Sequence, residues 1–164
     1  MIDPFRFARI GEHLEKLICL SPDGRLEGIL AGESEIFLTL DGSRHENKRF
    51  MLNGHIAGFA KVQCQVCLEQ MKLPLDINFR VFPLRSEEQA ERLQEEFEPI
   101  VINDDNRLAL SELVTNELIL SMPVASSHIE IEGVNCANKD DFTSGKVEVK
   151  KKVSPFAILK SKKD

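Results

Sequence analysis

The sequence predicts an α+β fold: a mainly antiparallel, strongly bent or barrel-like sheet, with two or three helices and a mobile basic C-terminal tail. Three observations carry this reading. Across residues 71–81 every odd position is apolar (Met71, Leu73, Leu75, Ile77, Phe79, Val81), with Lys72, Pro74, Asp76, Asn78 and Arg80 between them. That is the two-residue period of a half-buried strand. Phe50, Leu52, Ile56, Ala60 and Val62 keep the same period upstream, so strand-like segments flank Cys64-Gln65-Val66-Cys67. After Pro83 the period becomes helical, with Leu110, Leu113, Val114 and Leu118 on one face.

The elements follow in order. Asp3 before Pro4 is a helix start, a capping carboxylate followed by a ring that fixes φ. Phe7, Ile10, Leu14 and Leu17 form one stripe, which extends that helix to about Leu17 and places His13 on it. Ser21-Pro22-Asp23-Gly24 is turn chemistry. Strands are expected over 26–30 and 35–40, with a turn at Asp41-Gly42-Ser43. Residues 48–62 read as one long strand, or as two interrupted at Asn53-Gly54. Ser86-Glu87-Glu88-Gln89 is a capping box opening an acidic helix, and a short strand is expected over 99–102. Ser111 is positioned to cap a second helix that runs to about Ser121 and is ended by Pro123.

The chain has 164 residues, 42% hydrophobic and 29% charged, which suits one globular domain over 1–145 followed by a lysine-rich tail over 146–164. The net charge of −6 argues against a protein whose whole surface coats nucleic acid. No apolar run reaches the roughly 20 residues of a membrane helix, and Asp3, Arg6, Arg9 and Glu12 stand where a signal peptide needs apolar residues. The expected location is therefore the cytoplasm, with no membrane and no small-molecule partner. In that reducing compartment four cysteines point to free thiols, metal ligands or redox groups rather than structural disulfides.

Cys64 and Cys67 have the spacing at which a tight turn aims both sulfurs inward, two of the four ligands of a structural zinc site. His128 and Cys136 are the next candidates, with seven residues between them, wider than the usual second half of a zinc motif. The competing reading is a pair of small buried thiols at a hairpin tip. A thioredoxin-like redox pair is disfavoured, because it needs a helix N-terminus and a strand-like run follows here. Cys19, in Leu17-Ile18-Cys19-Leu20, reads as a core residue. No glycine-rich phosphate loop is present, and no histidine has a triad partner at a recognisable spacing.

The tail carries Lys146, Lys150, Lys151, Lys152, Lys160, Lys162 and Lys163 around the apolar island Pro155-Phe156-Ala157-Ile158-Leu159. Cations around an aromatic anchor suit docking on a phosphate-rich surface, with Phe156 and Leu159 entering a groove. The alternative is that Phe156 packs on this chain's own core.

In order along the chain, Asp3-Pro4, Cys64-Gln65-Val66-Cys67-Leu68, the segment from Phe82-Pro83 to Glu98-Pro99-Ile100, the helix from Leu110 to Pro123, His128 with Cys136, and Pro155-Phe156-Ala157-Ile158-Leu159-Lys160 resemble the bacterial YceD-like family. Its members are called large ribosomal RNA subunit accumulation proteins. The resemblance implies a non-enzymatic ribosome-biogenesis factor supporting accumulation of large-subunit (23S) ribosomal RNA. Its partners would be that RNA's precursor, or ribosomal or assembly proteins. Two positions depart from the family pattern: Val66 stands where members often carry Arg, and Ser127 where they carry Pro. An apolar knuckle tip argues against direct RNA contact by that hairpin.

Overall fold

The structure is a computed structural model, and it describes residues 1–91, 98–102, 105–133 and 136. In chain order the elements are α1 (Pro4–Ile10), β1 (His13–Leu20), β2 (Ser34–Arg44), β3 (Phe50–Gln63), β4 (Gln70–Leu84), α2 (Glu87–Glu91), β5 (Glu98–Val101), α3 (Leu110–Ser121) and α4 (His128–Ile131). The strands form one sheet in the order β1-β2-β3-β4-β5. The first three pairings are antiparallel and β4 pairs with β5 in parallel. The class is thus α+β with a mostly antiparallel sheet, as expected. Four α-helical segments are present among the described residues, against the two or three expected.

The sheet is open, so the expected barrel-like closure is not observed. The described partners of the edge strands β1 and β5 are β2 and β4. Helix α3 packs against β4 and the turn over 24–26. Ala109, Leu110 and Ser111 share a cleft with Lys16, Leu17, Ile18 and Cys19 of β1. Further along, Leu113, Asn116 and Glu117 share another with Glu98, Pro99 and Ile100 of β5. The helix start is anchored by reciprocal backbone bonds between Ile2 and Leu108, at 3.0 and 2.8 Å.

The core fills the inner face of the sheet. Ile36, Leu38 and Leu40 on β2, Leu52, Ile56 and Ala60 on β3, and Val114 and Leu118 on α3 are fully buried. Burying each large side chain contributes about 1.5–3 kcal/mol. Two glycines allow close approaches. A side chain at Gly42 would put its Cβ 2.5 Å from the carbonyl oxygen of Phe7, so α1 rests on β2 at that point. At Gly54 the Cβ would lie 1.9 Å from Cζ of Phe79, its cross-strand partner on β4. The Phe79 ring occupies the space that the missing side chain leaves.

Several expected boundaries differ. Helix α1 ends at Gly11, whose left-handed φ of 67° and N–H bond to Phe7 O make a C-cap. His13, Leu14 and Leu17 therefore lie on β1, and Cys19 is exposed rather than in the core. Residues 24–26 form a 3-10 turn instead of opening a strand, and Leu26 and Leu30 are buried four residues apart. Asp41-Gly42-Ser43 continues β2, and the chain reverses later, where His45 and Arg49 close the turn with a 2.9 Å backbone bond. Strand β3 passes uninterrupted through Asn53-Gly54. At α2 the Gln89 side chain accepts from the Arg85 N–H (3.2 Å) rather than from Ser86. Helix α3 starts one residue before Ser111, with Ala109 at the N-cap and no side-chain cap. The rest of the expected acidic helix beyond Glu91, and the tail residues Lys150, Lys151, Lys152, Pro155, Phe156, Leu159 and Lys160, lie outside the described residues.

Candidate metal centre

The hairpin between β3 and β4 closes over six residues held by backbone bonds. Cys64 N–H donates to Glu69 O (2.9 Å), and Leu68 N–H donates back to Cys64 O (3.0 Å). Leu68 takes a left-handed φ of 62°, and the Gln63 side-chain amide donates to its carbonyl at 2.9 Å. This knuckle turns both thiols inward: Cys64 is fully buried and Cys67 is 6% exposed. The Val66 N–H points at Cys64 Sγ from 3.4 Å.

The second half arrives from the far side of α3. Ser126 O accepts the Gln65 N–H at 2.8 Å, which fastens this segment to the knuckle. Ser127 then caps α4, its hydroxyl accepting the Glu130 N–H at 3.3 Å, and His128 is the first residue of that turn. Cys136 returns to the same spot and is buried.

The four side chains named from the sequence are thereby brought together. Their donor atoms all lie within 4.8 Å of one another. Cys64 Sγ is 3.7 Å from Cys136 Sγ, while His128 Nδ1 is 3.4 Å from Cys67 Sγ and 3.8 Å from Cys136 Sγ. A tetrahedral centre with sulfur bonds of about 2.3 Å has S···S edges of about 3.8 Å and S···N edges of about 3.6 Å. These three of the six donor spacings match the edges of a four-coordinate site, and the cluster could hold a metal ion. The sulfurs are far too distant for a disulfide, which needs about 2.05 Å.

The electrostatics are uneven. Burial alone would push the Cys64 thiol up, but N–H donors of Cys67, Val66 and His128, with the Cys67 side chain, outweigh it and lower the pKa to about 6. Cys136 goes the other way. Burial, then bonding to Cys64 and Cys67 and the charge of those thiols, pushes it up to about 11. A lowered Cys64 pKa also suits a redox thiol, a feature that the strand context alone did not suggest. Its complete burial, however, gives a disulfide substrate no access to the sulfur.

A family model described as Large ribosomal RNA subunit accumulation protein YceD matches residues 52–161. The chain belongs to the YceD family. The match spans the knuckle, the second half of the cluster and the tail motif. A similar YceD family protein, the Large ribosomal RNA subunit accumulation protein YceD of Haemophilus influenzae, is 29% identical over 133 residues, covering 81% of this chain and 76% of its own length. No solved structure matches the chain.

Among the described residues the remaining histidines form no comparable centre. His13 bonds Asp41 at 2.6 Å and lies 3.5 Å from Glu15, and the Asp41 carboxylate holds its imidazole above the usual histidine value. His55 bonds Asp76 at 2.7 Å. Both pairs are exposed, cross-strand contacts. One titratable group escaped the sequence reading. Glu117 is 6% exposed on the face of α3 that carries Leu113, Val114 and Leu118. Burial, then the charge of Glu98, raises its pKa to about 7. An acid on an apolar helical stripe was the available signal. No helix is long and apolar enough to cross a membrane, among the described residues.

Proposed function

We propose that this protein is a non-enzymatic ribosome-biogenesis factor that supports accumulation of large-subunit (23S) ribosomal RNA. It acts in the cytoplasm, by binding the RNA precursor or ribosomal and assembly proteins. The single observation that carries this reading is the family match over residues 52–161. In the same reading Cys64, Cys67, His128 and Cys136 hold one structural zinc ion. Support comes from the soft, three-sulfur donor set, three donor spacings close to tetrahedral edges and the burial of the three thiols. A closed site without a free position stabilises the fold and leaves catalysis without a place to occur.

Charge is distributed unevenly along the chain. Residues 146–164 hold seven lysines against Glu148 and Asp164, a charge of +5, which leaves −11 on residues 1–145. The acidic body suits basic ribosomal proteins. Lys150, Lys151, Lys152 and Lys160, with Pro155, Phe156 and Leu159, make a second contact with RNA phosphates and a groove. Replacing Lys150, Lys151 and Lys152 together by Glu in the full chain is expected to weaken co-sedimentation with large-subunit precursors at low salt, and the difference from the wild type should shrink as salt is raised. Co-sedimentation unchanged by this charge reversal would sink the tail contact, and no association of the wild type with precursors would sink the ribosomal reading.

A further inference from the structure

Between α3 and β5 lies a cleft of about 380 Å³. Its walls are mostly apolar: Val81, Pro99, Ile100, Leu113, Ile119 and Leu120. Glu117 lines the same cleft while remaining 6% exposed, and Glu98 stands at its rim. The ion pairs formed among the described residues all involve histidine, so none of them neutralises Glu117. No described hydrogen bond reaches its carboxylate either. Arg25 lines the cleft, but its guanidinium donates to the Asn116 side-chain oxygen. No fully buried side-chain oxygen or nitrogen lacks a partner among the described residues, so the Glu117 carboxylate, with no described bond of its own, keeps its contact with the cleft and is open to a ligand's cation.

We propose that this cleft binds a lysine side chain presented by a basic protein partner, with the Glu117 carboxylate receiving its ammonium group. The inference rests on the ribosome-assembly reading, in which basic proteins are the partners. Complementarity identifies the occupant. A lysine has an apolar four-carbon stem to lie against the walls and a compact charge to reach one deep carboxylate. An arginine fork would need a broader acceptor. Nucleic acid is excluded, because Glu98 and Glu117 would face its phosphates. Helix α2 packs beside β5 and carries Glu87, Glu88 and Glu91, which supply further acceptors for neighbouring basic residues of the same segment. The raised pKa of Glu117 agrees with this: the carboxylate is held in an environment that favours neutralisation.

The test titrates the full chain with the blocked tripeptide acetyl-Leu-Lys-Leu-amide and with its Nε-acetyl-lysine counterpart, followed by NMR. The amine peptide is expected to bind at least tenfold more tightly, shifting the amides of Ile100, Leu113 and Asn116. Glu117→Gln, which keeps the shape, should remove that tenfold preference, and Glu98→Gln should reduce it only partly. Equal binding of the two peptides, or a preference that survives Glu117→Gln, overturns the proposal. So does a carbodiimide cross-link from Glu117 to one of the chain's own lysines within a monomer, which would assign the cleft to the tail. Co-sedimentation separates this from the broader reading. If wild type and Glu117→Gln associate equally with large-subunit precursors, the cleft is not the partner's site and the ribosomal function stands. If neither associates, the ribosomal reading itself fails.

Discussion

The backbone N–H of Gln65, between the two cysteines of the knuckle, donates to the carbonyl of Ser126 at 2.8 Å. This one bond ties residues 61 positions apart in sequence, and it delivers His128 and Cys136 to Cys64 and Cys67. The two halves of the candidate metal centre therefore meet only when residues 126–136 are carried back to the knuckle after α3.

Metal analysis of protein purified without chelator should find about one zinc per chain. Cys64→Ser should lower that content severalfold and depress Tm by roughly 10 °C or more, because structural zinc contributes folding free energy directly. A strong chelator should reproduce the shift in the wild type and have little effect on the variant. A wild type that purifies metal-free, with a Tm unaffected by added zinc, contradicts the assignment.

Gly54 should tolerate no side chain while Phe79 keeps its rotamer. Gly54→Ala puts a methyl group inside the Phe79 ring and should cost about 2 kcal/mol or more in a denaturant titration. Combining it with Phe79→Leu should cost less than the sum of the two single changes, since they share one space. Strict additivity would mean that the ring and the glycine are not coupled.

Glu117 gives a pH dependence whose sign follows from its raised pKa. The folded state holds this proton up to about pH 7, while an exposed glutamate releases it near 4.5. Between these values the folded chain binds more protons than the unfolded chain, so stability declines as pH rises through the window. The penalty is absent below the lower value and complete above the upper one. Glu117→Gln should therefore leave Tm almost unchanged at pH 4 and raise it at pH 8. Water at the mouth of the cleft screens part of the effect, making the gain about 1 kcal/mol rather than the ~3 of the full shift. A gain equal at both pH values would show that charge is not its cause.

Asp3 caps α1 through one carboxylate oxygen that accepts the N–H groups of both Phe5 and Arg6 at 3.0 Å. Asp3→Ala should destabilise the protein by about 1 kcal/mol, and Asp3→Asn by less, as measured by thermal or denaturant unfolding. Equal losses for the two would show that the negative charge at this helix start matters more than the hydrogen bonds.

The sequence by itself determined the elements whose burial repeats regularly. Strands β3 and β4 carry a two-residue period over most of their length, and the buried face of α3 has helical spacing, so local pattern and final environment agree there. The family was legible as well, through an ordered set of short motifs. The four cluster residues were nameable from their chemistry. Their meeting was not, because it depends on where α3 carries residues 126–136 and on the Gln65–Ser126 bond. Within the first fifty residues the helix start at Asp3-Pro4 and the strand over 35–40 were read correctly, and the boundaries that were misread failed for the same kind of reason. Leu14 and Leu17 fit a helical stripe as well as a strand, and pairing of β1 with β2 decides between them. Asp41-Gly42-Ser43 has turn composition, yet Gly42 serves the approach of α1 to β2, a contact no local pattern encodes. The acid on α3 shows the limit most directly. Sequence places Glu117 on an apolar face, but only the neighbouring β5 turns that position into a largely desolvated carboxylate beside Glu98, because desolvation is a property of what packs around a group and not of its neighbours in the chain.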